Sequence, residues 1–325
     1  MSSHPRFSRL RRGVLAALVA GAVAVPVAGA AGPAAVPAPA PTVREPLRTA
    51  APGALAARYA ETRADIRAAE RAAAAHSDRG RAAALHSMAD PGRSFLSFDG
   101  RDGGRLVEVF GDLAHARRIA VLVPGAGTDI DHYRRLHDGG AALHEELGDR
   151  SAVVAWLGYR TPATVSPAAV TSARAGRAAP GLREFVGELR GLRPEAGISL
   201  LCHSYGSVIC ARAAHGLRVT DIVLFGSPGT GYPNAAGLRT TATVWAGRGG
   251  DDWIADVPHV RLRLPFAAIG FGTDPVSPAF GARLFAAGDG GHGDYLNPGS
   301  SSLRNIARIA AGTAPADTPE GEHHA

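Results

Sequence analysis

The chain contains no lysine: all 35 of its basic residues are arginine. With the excess of alanine, this reads as coding bias and not as a functional signal. Cysteine is almost as scarce, with only Cys202 and Cys210. No ligand cluster lies beside them, which excludes a structural zinc site, and no cofactor is expected. One sits at a strand end and the other in the helix that follows. They are expected as two buried thiols, because free cysteine packs as a small apolar residue, although an exported protein can hold a disulfide. An excess of one charge is also missing. Four arginines at the start of the chain account for most of the formal charge of +6, and the remainder carries 31 bases against 29 acids. No basic stripe with interleaved aromatics exists, which excludes a nucleic-acid footprint. Beyond the first 30 residues no apolar run approaches the length of a membrane helix. No internal repeat is visible.

What is present divides the chain. Residues 1–30 carry Arg6, Arg9, Arg11 and Arg12, then an apolar run from Val14 to Val27, then Ala28-Gly29-Ala30. That order is a cleavable secretory signal. Pro26 and the short apolar run argue against an anchor, so the mature chain is expected to be secreted or cell-wall associated, with no stable membrane span. Arg11-Arg12 is compatible with twin-arginine export but does not separate it from the general route. Residues 31–53, with Pro33, Pro37, Pro39 and Pro41, read as an Ala/Pro-rich linker. Residues 54–90 read as a helical segment whose thin apolar stripe (Leu55, Tyr59, Ile66, Leu85) lies on a surface, ended by Asp90-Pro91-Gly92. Residues 91–312 form the main domain, about 220 residues, enough for one buried core. Residues 313–325 read as a disordered tail, and His323-His324 there lack further ligands.

Within the main domain, short apolar runs alternate with helical stretches. Phe95 to Phe98 and Leu106 to Phe110 suggest an antiparallel pair. Ile119 to Val123, Ala152 to Leu157, Ile198 to Leu201, Ile222 to Phe225 and Ala242 to Ala246 suggest strands covered on both faces. Helices are expected over Tyr133–Leu147, Ala168–Leu192, Ser207–His215 and Leu303–Ala311. The fold class is therefore α/β, with a mostly parallel central sheet and helices on both faces. Ligands in such sheets bind beyond the carboxyl ends of the strands. The loops after Val123, Leu201 and Ala246 should thus converge on the chemistry.

The strand Ile198 to Leu201 runs through Cys202-His203-Ser204-Tyr205-Gly206 into a helix. A serine on such a sharp strand-to-helix turn is a nucleophile elbow, with small residues two before and two after it. Gly206 meets that need, and Cys202 stands where glycine is usual. Pro124-Gly125-Ala126-Gly127-Thr128 follows an earlier strand, and its glycines let backbone N–H groups approach an oxyanion. Ala126 and Tyr205 are the expected donors. In sheets that carry this elbow the acid and then the histidine follow the serine. Gly247-Arg248-Gly249-Gly250 ends in Asp251-Asp252, and spacing alone does not choose between the two aspartates. For the histidine, His292 in Gly290-Gly291-His292-Gly293 follows the short run Arg283 to Ala287. His259 lies too near the acid loop, His215 ends the elbow helix on the wrong side, and His203 reads as a sheet-flank residue. Residues 161–180, rich in proline and small residues, are a candidate cap.

Several segments in combination resemble an actinobacterial α/β-hydrolase family long catalogued as a domain of unknown function. They are Leu122-Val123-Pro124-Gly125, Ala155-Trp156-Leu157-Gly158-Tyr159 with Thr161-Pro162, and His203-Ser204-Tyr205-Gly206-Ser207. Later come Gly272-Thr273-Asp274-Pro275, Gly291-His292 with Tyr295, and Ser302-Leu303-Arg304-Asn305-Ile306-Ala307. The resemblance spans about Leu55 to Gly312. It implies an α/β-hydrolase fold preceded by an N-terminal helical segment. It also implies a serine hydrolase of unspecified substrate, and it selects Asp252, directly before Trp253-Ile254, as the acid. The expected activity is metal-independent hydrolysis of a small-molecule or lipid-like carboxylic ester by Ser204, Asp252 and His292. A catalytically silent exported binding protein on the same fold, or an acyltransferase, is the alternative. The sequence does not give the oligomeric state.

Overall fold

The computed structural model describes residues 38–164, 166–260, 262–263 and 268–315. The expected signal over residues 1–30, the first part of the linker and the tail beyond residue 315 lie outside the described residues. Two helices come first, α1 (Pro52–Ala75) and α2 (Arg79–Met88). Proline opens α1, where its missing N–H costs nothing. At α2 the Asp78 side chain caps by accepting from the Arg81 N–H at 2.9 Å.

Eight strands then form one sheet: β1 (Ser94–Asp99), β2 (Arg105–Gly111), β3 (Arg118–Val123), β4 (Ser151–Leu157), β5 (Gly197–His203), β6 (Asp221–Phe225), β7 (Thr243–Gly247) and, last in the chain, β10 (Arg283–Leu284). Their order is β1-β2-β4-β3-β5-β6-β7-β10. The first two pairings are antiparallel and the rest parallel. A separate two-stranded antiparallel pair, β8 (Leu262–Arg263) with β9 (Ala268–Ile269), lies between β7 and β10 in the chain. The helices α3 (Arg134–Leu147), α4 (Ala173–Leu192), α5 (Gly206–Ala213) and α6 (Ser301–Ala311) make the crossovers and close the chain.

Successive side chains of a strand point to opposite faces, and here both faces are apolar. In β3, Ile119, Val121 and Val123 join a core with Ala178, Leu182 and Val186 of α4 and Val208 and Ile209 of α5. Ala120 and Leu122 join the opposite core with Leu143 of α3, Ile306 and Ile309 of α6, and Ile66 and Leu85 of α1 and α2. β4 repeats the alternation, with Val154 and Trp156 on one side and Val153, Ala155 and Leu157 on the other. The near-continuous apolar runs are the signature of this double coverage.

Three expectations change. Cys202 and Cys210 are not two thiols. They are joined in a disulfide, with Cα atoms 6.4 Å apart and both residues fully buried. The elbow reverses the chain, so two turns of α5 run back alongside the end of β5 and bring the side chains within bonding range. The candidate cap is shorter than the sequence suggested, because residues from Ala173 onward belong to α4, which buries Ala175, Ala178, Ala179 and Leu182. Pro180 is tolerated inside that helix because it and Gly176, whose carbonyl it leaves without a partner N–H, both lie on the exposed side. The segment before α1 has no regular structure, yet it is fastened down. Arg44 pairs with Asp65 at 2.6 Å and Glu61 at 3.1 Å, Arg58 donates to the Glu45 carbonyl at 2.6 Å, and Ala50 is buried.

Candidate active site

The carboxyl ends of β3, β5, β6 and β7 carry the loops that meet at Ser204. Ser204 has φ of 51°, in the left-handed region where a residue with a Cβ rarely sits. Its N–H donates to the Phe225 carbonyl of β6 at 3.0 Å, and its carbonyl accepts from the Ser207 N–H at 2.9 Å. The turn is held from both sides. Gly206 is required here, since a Cβ would come within 2.5 Å of the Val123 carbonyl oxygen. At Gly125 a Cβ would lie 2.7 Å from the Ser204 Cβ, so the loop after β3 passes directly against the serine.

Hydrogen bonds run from Ser204 inward. The Ser204 hydroxyl and His292 Nε2 are 2.9 Å apart, and His292 Nδ1 lies 2.9 Å and 3.1 Å from the two oxygens of Asp252. A carboxylate only accepts, so Nδ1 carries the proton and Nε2 is the bare nitrogen facing the serine hydroxyl. Asp252 is buried and bonds the histidine, whereas Asp251 is exposed. Asp252 also accepts from the Ile254 N–H at 2.9 Å and from the Tyr295 hydroxyl at 2.5 Å. Burial pushes its carboxyl pKa up, but the hydrogen bonds from His292, Tyr295 and Ile254 outweigh this and hold it below the usual carboxylate value. The Tyr295 hydroxyl in turn accepts from the Gly249 N–H at 3.0 Å, so it locks the acid loop to the histidine loop. Its own pKa is driven well above the phenol value, first by burial and then by Asp252, so it remains a donor.

The expected oxyanion donors sit on the two segments that flank the serine. Tyr205 immediately precedes α5 and is buried, its hydroxyl donating to the Thr171 carbonyl at 2.8 Å and accepting from the Ala175 N–H at 3.1 Å. Ala126 follows Gly125. Its loop is pinned by the Tyr159 hydroxyl donating to the Pro124 carbonyl at 2.8 Å, by Thr161 Oγ1 donating to the Thr128 carbonyl at 2.8 Å, and by the Gly127 N–H donating to the Pro162 carbonyl at 2.9 Å. Residues 161–164 therefore brace this loop.

The other histidines are elsewhere. His215 is at the surface, 3.4 Å from the Arg239 carbonyl, and His259 faces Asp274 at 3.7 Å. Asp274 holds Arg248 at 2.5 Å and the Val276 N–H at 3.1 Å, which ties the start of the acid loop to the segment after β9. His203 is the residue that sequence reasoning underrated. It is no flank residue but lies under His292, its Nε2 2.8 Å from the His292 carbonyl. Its place beside the serine was the only available signal. Among the described residues no group of three or more His, Cys, Asp or Glu could hold a metal ion, and no helix is long and apolar enough to cross a membrane.

A family model described as alpha/beta hydrolase matches residues 99–262, half of the chain. The chain belongs to the alpha/beta-hydrolase family. The match ends before the His292 loop, so that loop stands on this structure's geometry. The chain is 30% identical over 262 residues to an uncharacterized protein of Mycobacterium tuberculosis, Rv2079, a match covering 70% of this chain and 39% of that protein. A second uncharacterized protein of the same organism, Rv0963c, is 30% identical over 189 residues, covering 50% of this chain and 70% of that one. The chain thus spans well under half the length of the first of these relatives. Among solved structures, XC6422 from Xanthomonas campestris, a serine hydrolase without a lid, is 19% identical with a TM-score of 0.44, covering 70% of this chain and 98% of that one. The esterase LipW from Mycobacterium marinum is 17% identical with a TM-score of 0.40, covering 77% and 88%.

Proposed function

We propose that this hydrolase is an exported serine esterase in which Ser204 is the nucleophile, His292 the general base and Asp252 its partner. The observation that carries the reading is the unbroken Ser204–His292–Asp252 hydrogen-bond chain at 2.9 Å and 2.9 Å, starting from a strained elbow. In the first half-reaction, the Ser204 oxygen attacks the ester carbonyl carbon as its proton passes to His292 Nε2. Asp252 stabilises the imidazolium. The carbonyl oxygen becomes an anion, received by the N–H groups of Tyr205 and Ala126. The intermediate collapses, His292 returns the proton to the departing alkoxide, and an acyl-Ser204 remains. Water activated by the same histidine then releases the acid and restores the serine.

Trp253 supports an apolar or lipid-like substrate. Its ring is 48% exposed and lies 4.8 Å, centroid to centroid, from the His292 ring. The leaving alcohol must depart next to that imidazole, so the open indole face offers it an apolar wall. Export is supported by the leader pattern of residues 1–30 and by the buried Cys202–Cys210 disulfide, which suits an oxidising compartment. The test is hydrolysis of a series of activated and alkyl esters by the mature chain. Turnover that disappears in Ser204→Ala supports the reading, and equal turnover in that variant sinks it. Trp253→Ala should lower kcat/KM more for esters of aryl or long-chain alcohols than for methyl esters.

A further inference from the structure

His203 adjoins the nucleophile in sequence but points away from it. It is half-buried, its ring stacked on Phe225 with centroids 5.3 Å apart, and it meets Tyr295 at 5.8 Å and His292 at 4.9 Å. Its Nε2 is 2.8 Å from the backbone carbonyl of His292. A carbonyl only accepts, so Nε2 carries the proton and donates. The His292 imidazole thus meets two rings, His203 at 4.9 Å and the half-exposed Trp253 at 4.8 Å. It is also tied at two points, Nδ1 to Asp252 and the main-chain carbonyl to His203.

We propose that His203 is a positioning residue for the general base, its Nε2–H fixing the His292 main chain and its ring forming the floor under the imidazole. This rests on the serine-hydrolase reading above. The loop from residue 288 to residue 296 has no helix or strand. A turn bonded between Gly291 and Asp294 brackets His292, and Tyr295 fastens the loop to Asp252, but neither holds the His292 carbonyl. His203 adds the tie at the His292 carbonyl from β5, the same strand that delivers the serine, so base and nucleophile share one support. The charge state suits the task. Burial, helped by the neighbouring His292 and Arg135, pushes the His203 pKa down to about 3, against the opposing pull of the carbonyl hydrogen bond and Asp252. Of the charged or titratable groups around it, His292, Asp252, Arg135 and Tyr295, only Asp252 favours a proton on this ring. His203 thus remains neutral while the base cycles through its charged form, and no second positive charge opposes that step.

The test compares the wild type with His203→Phe, which keeps an aromatic ring but has no donor. A second variant, His203→Gln, has an amide that can reach the same carbonyl. On an activated ester, His203→Phe should lose roughly 10- to 100-fold in kcat with KM little changed, the scale expected when a catalytic group is misplaced. His203→Gln should recover most of that loss at equal thermal stability. Full kcat in His203→Phe, or no recovery in a folded His203→Gln, overturns the proposal. A measurement on the wild type decides the matter if the variants do not fold. Imidazole nitrogen NMR should show His203 as an unchanging Nε2–H tautomer between about pH 5 and about pH 8. A His203 resonance that titrates in that range, or that carries its proton on Nδ1, overturns it. If the wild type neither turns over esters nor modifies Ser204, the hydrolase reading fails separately, while the NMR result still decides the contact.

Discussion

Ser204 combines a left-handed backbone with near-complete burial, and both have consequences that can be measured. A residue with a Cβ at this φ costs roughly 1–2 kcal/mol. The Phe225 carbonyl and the close packing of Gly206 hold it there. Ser204→Gly should therefore abolish turnover while leaving stability unchanged or raising it by about 1 kcal/mol, read by denaturant unfolding. The two aspartates should separate sharply. Asp252→Asn should cut kcat on the order of 10⁴-fold, since the amide no longer holds the imidazole in its reactive tautomer. Exposed Asp251→Asn should leave kcat almost unchanged. Comparable losses in the two variants would contradict the assignment. Ser204 and His292 could be proposed from the sequence because each lies in a loop with glycine close by at the expected place along the chain, whereas Asp252 was separated from Asp251 only by the family resemblance. Tyr295, His203 and the Asp274–Arg248 pair could not be. Their roles depend on contacts across 20 to 90 positions of sequence, as in His203 with His292 or Arg248 with Asp274, and no local pattern encodes them.

At the scale of elements, the elbow is a strand and a helix stapled together. Cys202 is the next-to-last residue of β5 and Cys210 lies in the second turn of α5, so the disulfide spans the nucleophile turn itself. In the chain-entropy model a loop of this size contributes about 2.5 kcal/mol. The double variant Cys202→Ala with Cys210→Ala should lose about that much in denaturant unfolding. The unfolded, non-reduced wild type should present no thiol to a maleimide reagent, and two reactive thiols would refute the staple. Spacing pointed the other way because eight residues along a strand and a helix span a long distance, unless the chain turns back between them. The helix expected from Ala168 starts at Ala173 instead, after a separate short 3-10 turn at Pro167–Val170. The strands were plain by contrast. Runs such as Ile119 to Val123 are buried on both faces, as the central strands of a sheet covered by helices are.

Over the whole molecule, one buried charge cluster joins the antiparallel edge of the sheet to α3. Glu108 of β2 is buried, with Arg93 donating at 2.6 Å and 2.9 Å, the Tyr133 hydroxyl at 2.8 Å and His137 Nδ1 at 3.2 Å. Burial raises the Glu108 pKa, but His137 and Arg93 outweigh it, and the net shift is downward. Because the folded pKa lies below the unfolded value of about 4.3, this cluster adds stability at higher pH. The contribution fades as pH falls below about 4.3 and through the folded value. Arg93→Met should destabilise the fold by about 3–5 kcal/mol at neutral pH, because it leaves a buried carboxylate without its main partner. Its acid-unfolding midpoint should move to higher pH, and a midpoint equal to the wild type's would remove the cluster from the account. The central claim is that one serine on this sheet is a working nucleophile. Intact-mass spectrometry of the mature chain after fluorophosphonate treatment tests it most directly. The account predicts a single adduct on the wild type, mapped to Ser204 and absent from Ser204→Ala. An unmodified wild type, or an adduct that persists in Ser204→Ala, would contradict it.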